Sequence, residues 1–128
     1  MSEFKFHSDI PLIYVAGPYS APSAHMREIN IQGAWRLGAQ VAAVGAMPIV
    51  PHMSSAHLDG LQSQEWWIAA TLELMKRCDA VIFTPNYVSS KGSLGEEDEA
   101  RRLKIPRFYS VVGLDLWLHG PSREHFKP

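Results

Sequence analysis

Glu96 closes the run Ser89-Ser90-Lys91-Gly92-Ser93-Leu94-Gly95-Glu96, which follows the apolar segment Ala80-Val81-Ile82-Phe83-Thr84. This order puts a carboxylate at the start of a helix, at the C-terminal end of a parallel strand, where open α/β sheets bind ligands. A carboxylate held there can attack a sugar carbon. The same residues also spell a capping box, with Ser93 as the cap and Glu96 reaching back to its amide. An acid in the first turn also suits the helix dipole. The sequence leaves both roles open. Glu97 with Arg101 and Asp98 with Arg102 read as ordinary surface pairs one helical turn apart.

Tyr14 is the second residue of interest, because it interrupts the aliphatic run Pro11-Leu12-Ile13-Tyr14-Val15-Ala16. A buried phenol needs a partner, and a carboxylate across a crevice is one candidate. A satisfied core tyrosine is the other reading. Gly17, Pro18, Tyr19 and Ser20 form a turn that only weakly resembles a phosphate cradle and lacks the dinucleotide glycine pattern. Ser89, Ser90 and Ser93 offer hydroxyls beside helix-start amides, a natural anion site. His52, His57 and Asp59 share one loop, but their spacing fits no zinc motif, so no metal is expected. No serine sits on a nucleophile elbow. Cys78, near a helix C-terminus, reads as structural.

The elements that must position these groups follow from hydrophobic patterning. Continuous apolar runs suit strands buried on both faces. They give strands over Pro11–Ala16, Met47–Val50, Ala80–Thr84 and Arg107–Ser110. Helices are expected from Met26 to Val44, from Glu65 to Arg77 and from Leu94 to Leu103, with Gly45 ending the first. Val111–Leu118 fits a fifth short strand or a helix. Met53–Gln64 reads as a long loop. The alternating order implies right-handed crossovers and a parallel sheet. The fold class is therefore α/β, a flavodoxin-like three-layer sandwich with four to five strands. In that order strands one and three are neighbours, so the loops after Ala16 and Thr84 meet in one crevice.

The chain of 128 residues suits a single domain, 1–128, with 119–128 a loosely ordered tail. Its formal charge of -1, without a basic block, argues against nucleic acid or anionic membrane as main partner. One cysteine and no signal-like N-terminal stretch point to the cytoplasm. The helix Glu65–Arg77 is apolar nearly all round, with Trp66, Trp67, Ile68, Leu72, Leu74 and Met75. A partner subunit is the natural cover for its outer face.

Five segments together resemble the nucleoside 2-deoxyribosyltransferase-like superfamily, near the nucleoside 5′-monophosphate N-glycosidases. They are Ile13–Ser20, Glu28–Ile31 with Asn30, Pro48–His52, Cys78–Val81, and Ser90–Ser93 with Glu96 and Ala100. The resemblance implies a homodimer or larger homo-oligomer. It also implies N-glycosidic bond cleavage or transfer on a nucleoside or nucleotide, without a cofactor. On that pattern Glu96 is the nucleophile and Tyr14 positions it. Gly17, Pro18, Tyr19, Ser20, His52, Asp79, Ser90, Gly92 and Ser93 contribute to substrate binding, with Ser90 at a phosphate-contacting position. Two departures stand out. The acid expected eight positions before Asp79 is Thr71, and the Ser and Arg expected after Gly17 are replaced by Pro18 and Ser20. A non-catalytic nucleotide sensor with the same crevice is the alternative. A plain interaction protein using the aromatic helix is a third reading.

Overall fold

The computed structural model describes residues 9–54, 58 and 60–120. The elements are β1 (Leu12–Ala16), α1 (Ala24–Ala43), β2 (Met47–Ile49), α2 (Pro51–Ser54), α3 (Gln64–Lys76), β3 (Ala80–Phe83), a 3-10 turn (Tyr87–Ser89), α4 (Lys91–Arg102), β4 (Arg107–Phe108) and α5 (Val111–His119). The sheet is parallel throughout, with order β2-β1-β3-β4. This is the flavodoxin-like arrangement, and β1 and β3 are neighbours at its switch point.

The two sheet faces carry separate cores. Ile13, Val15, Ala80 and Ile82 face α1 and α5, meeting Ala34, Leu37, Val41, Leu114 and Leu118. Tyr14, Ala16, Val81 and Phe83 face α3 and α4, meeting Met75 and Ala100. Strict alternation along β1 and β3 therefore sends Tyr14 towards the helices that flank the crevice. A serine caps each long helix: Ser23, Ser63, Ser90 and Ser110 accept from the amides of Met26, Trp66, Ser93 and Gly113. Each such cap contributes about 1 kcal/mol. Gly45, at φ +99, reverses the chain after α1.

Residues 111–119 take the helical one of the two forms the sequence allows, because the Ser110 cap and the spacing of Leu114 and Leu118 outweigh the strand propensity of Val111 and Val112. Other boundaries differ from the sequence expectation. The loop after Val50 opens with one helical turn, α2, and residues 55–57 and 59 lie outside the described residues. Of the tail, His119 is the last residue of α5 and its Nε2 lies 2.8 Å from the Val44 carbonyl, while residues 121–128 lie outside the description. Among the described residues no helix is long and apolar enough to cross a membrane.

Candidate active site

The start of α4 removes the capping role of Glu96. Ser90, not Ser93, is the cap: its hydroxyl accepts from the Ser93 amide at 3.2 Å. The helix thus begins three residues earlier than the capping box requires. Glu96 sits in its second turn, too far along to bond the cap amide. Instead the Tyr14 hydroxyl donates a short hydrogen bond to Glu96 Oε2. The partners are 82 positions apart, brought together because β1 and α4 share one sheet face.

Tyr14 is buried and Glu96 half-buried. Loss of water around the carboxylate pushes the Glu96 pKa up to about 7, and the phenol's hydrogen bond partly opposes that rise. Burial, then the charge and hydrogen bond of Glu96, push the Tyr14 pKa well above its usual value, so the phenol remains a donor. The phenol's bond is to Oε2. A half-buried carboxylate with one oxygen fixed by a phenol is suited to act as a nucleophile or as a base.

The loop after β1 forms the neighbouring wall. Gly17 packs on Thr84 so closely that a Cβ there would lie 2.4 Å from Thr84 Oγ1. Only glycine lets the exits of β1 and β3 approach in this way. His52 Nε2 lies 2.9 Å from the Pro18 carbonyl. A carbonyl only accepts, so Nε2 carries the proton. Burial lowers the His52 pKa and keeps the ring neutral. Tyr19 packs against the same ring at 5.7 Å, and Asn30 Nδ2 donates to the Tyr19 carbonyl at 3.4 Å. Pro18, Tyr19 and His52 are therefore one assembly, with the exposed Ser20 at its end.

Asp79 stands apart from these residues. Its carboxylate accepts from the Leu12 amide at 2.7 Å, and its own amide donates to the Leu12 carbonyl at 2.8 Å. It clamps the N-terminal ends of β1 and β3, at the edge of the sheet opposite the crevice. Thr71 lies on α3 and donates to the Ile68 carbonyl at 3.0 Å. Cys78 donates to the Leu74 carbonyl at 3.4 Å, and burial raises its pKa to about 11, consistent with a structural thiol. Among the described residues no cluster could hold a metal ion.

Two features escaped the sequence reading. Thr84 Oγ1 donates to Asn86 Oδ1 at 2.8 Å, fixing the turn out of β3; a hydroxyl directly after the apolar run is its only sequence signal. Glu97, read as a surface pair with Arg101, in fact accepts from two tyrosines, Tyr87 and Tyr109.

Residues 11–110 match a family model described as a domain of unknown function, DUF7768. The chain belongs to this family. The DUF7768 region spans β1 to β4 and contains every residue of the site described above. No curated protein matches the chain.

Proposed function

We propose that the protein cleaves or transfers the N-glycosidic bond of a nucleoside or nucleoside 5′-monophosphate, and that it is a member of the nucleoside 2-deoxyribosyltransferase-like superfamily. The observation that carries this reading is the Tyr14–Glu96 hydrogen bond at the switch point of the sheet. Glu96 Oε1 attacks the anomeric carbon, and the bond to the base breaks with its electron pair leaving on the base nitrogen. A proton from water or from the substrate's surroundings neutralises the departing base. The resulting glycosyl ester on Glu96 is then opened by water, or by a second base in a transfer. This is the two-step logic of retaining glycosidases. Tyr14 holds Oε2 as Oε1 attacks, its bond weakens while the carboxyl is an ester, and it strengthens again as the carboxylate leaves.

A 5′-phosphate fits the N-terminus of α4. That end presents the dipole's positive pole, the Ser90 and Ser93 hydroxyls, the Gly92 amide and Lys91. Ser93 is 1% exposed and its Oγ has no partner among the described residues, so its hydroxyl is free to donate to a phosphate. The test is a screen of nucleosides and their monophosphates for free-base release across pH. The expected profile has an acid limb near pH 7, set by ionisation of Glu96. Monophosphate binding without base release over hours would instead favour a sensor, a reading that Thr71 supports, since it places a hydroxyl where an acid would assist the leaving base.

The same reading includes a homodimer or larger homo-oligomer through α3. Trp66 and Ile68 on that helix are 47% and 50% exposed, and Trp67 Nε1 is buried without a partner among the described residues. Two surface grooves of about 330 Å³ lie elsewhere, one by α1 and α2 and one by β4 and α5, and neither is lined by Glu96. A second chain against α3, the neighbour of α4, would supply the missing wall and exclude water. Trp66→Asp should shift the solution mass to that of a monomer, measured by light scattering. A parent already monomeric at high concentration contradicts the assembly.

A further inference from the structure

Few apolar contacts hold α4. Its buried residues are Ser93 and Ala100, both small, and the rest of the sequence Lys-Gly-Ser-Leu-Gly-Glu-Glu-Asp-Glu-Ala-Arg-Arg is mostly polar. A helix anchored this weakly by burial needs another device to fix its rotation. Two adjacent residues provide side-chain bonds to the sheet side, about 100° apart around the axis. Glu96 faces Tyr14. Glu97 Oε2 accepts from the Tyr109 hydroxyl at 2.7 Å and from the Tyr87 hydroxyl at 3.1 Å, with Arg101 at 3.8 Å. The Glu97 side chain is only 13% exposed, unlike an ordinary surface pair. The Tyr109 ring also stacks on Phe83, the last residue of β3, at 5.4 Å, and the Tyr87 ring packs tilted against Phe83 at 4.9 Å and against Tyr109 at 5.6 Å. One carboxylate thus ties α4 to the turn before it, to the exit of β4 and to the end of β3.

We infer that Glu97, with Tyr87 and Tyr109, is a positioning residue that locks the rotation of α4, so that Glu96 keeps facing the crevice when its bond to Tyr14 is broken. The need for such a lock follows from chemistry. During the reaction proposed above, on which this part of the inference rests, the Glu96 carboxylate becomes an ester and its bond from Tyr14 weakens. Without a second tie, α4 would keep only the 3.5 Å bond from Arg107 Nη1 of β4 to the Ala100 carbonyl, near its far end, at the moment Glu96 must stay aligned.

The titratable groups around Glu96 are few. Tyr14 faces it from β1, and Cys78, at the start of β3, packs in the same cluster. Glu73, Lys76 and Arg77 of α3 pair with one another at the surface. Glu97, Tyr87, Tyr109 and Arg101 form the lock itself. None of the α3 charges is tied to α4 by an ion pair, so loosening α4 acts on Glu96 chiefly by letting water in.

The test is a carbon-13 NMR titration of Glu96 in the full chain, assigned by its loss in Glu96→Gln. In the double variant Tyr87→Phe with Tyr109→Phe the aromatic stack survives and both donors go. Its Glu96 midpoint should fall from about 7 towards the ordinary 4.5, by about one unit or more, because burial is the larger cause of the raised value. Its kcat for base release should fall about tenfold or more, with KM changed less than about threefold. As single variants of the parent, Glu97→Gln keeps an oxygen acceptor for both tyrosines and should retain most of the midpoint and of kcat, whereas Glu97→Leu should lose both. Tyr109→Phe alone serves if the double variant does not fold. An unmoved Glu96 midpoint beside a lowered Tm would overturn the lock and leave a merely structural cluster. A midpoint that moves in a chain that releases no base upholds the lock and rejects the glycosidase reading.

Discussion

Glu96→Gln is expected to lose free-base release by about three orders of magnitude or more and, at pH 8, to melt later than the parent. The first effect follows from chemistry, since an amide oxygen cannot displace a nucleobase and remain as a stable ester. The second follows from the burial that makes Glu96 reactive. Its folded pKa, about 7, lies above its ordinary value of 4.5. Below pH 4.5 both folded and unfolded chains hold the proton, and Glu96 costs nothing. Between pH 4.5 and 7 the unfolded chain gives up the proton first, so stability falls as pH rises. Above pH 7 both are ionised and the full cost, roughly 3 kcal/mol, is present. Gln carries no such cost. The Tm gain should be several degrees at pH 8 and close to zero at pH 4. A helix-capping Glu96 would give the opposite sign, and the Ser90 cap on α4 already argues against it. Thermal melts of both proteins at the two pH values measure the sign directly.

Tyr14→Phe carries the second large expected effect. The phenol is the one hydrogen bond that lowers the Glu96 pKa. Its removal leaves the desolvation of the carboxylate unopposed. The Glu96 pKa should rise above 7, and the acid limb of the activity profile should move to higher pH by about one unit. Turnover at pH 7 should drop about a hundredfold, part from the lost ionisation and part from the freed orientation of Oε1. At high pH the ionisation component recovers and the orientation component does not. A pH–rate profile of the variant therefore separates the two. A variant with an unmoved acid limb would show that Tyr14 does not act on Glu96.

Much of the fold and the central pair was legible in the sequence, for local reasons. The aliphatic runs around Ile13 and Ile82 could only be strands buried on both faces, and their spacing with intervening helices required a parallel sheet. Tyr14 was visible because a polar atom in such a run demands a partner. What was not legible depended on competition between equivalent local signals. Ser90 and Ser93 are equally good caps in sequence, and only the preceding 3-10 turn places Ser90 at the helix start. The Asp79 carboxylate falls in a segment quoted for the resemblance, yet the strand direction carries it to the far edge of the sheet. Glu97 presented a plausible partner four residues on, in Arg101. Its tyrosines come from segments ten residues before it and twelve residues after it, and nothing local to Glu97 announces them.

In the proposed reaction Glu96 itself takes the sugar. Acid-quenched mass spectrometry of the chain during turnover of a nucleoside monophosphate, followed by peptide mapping, reads this step directly. A sugar-phosphate mass is expected on the peptide containing Glu96, absent from Glu96→Gln. Base release at full rate from the Glu96→Gln chain, or an adduct mapped to any other residue, would contradict it.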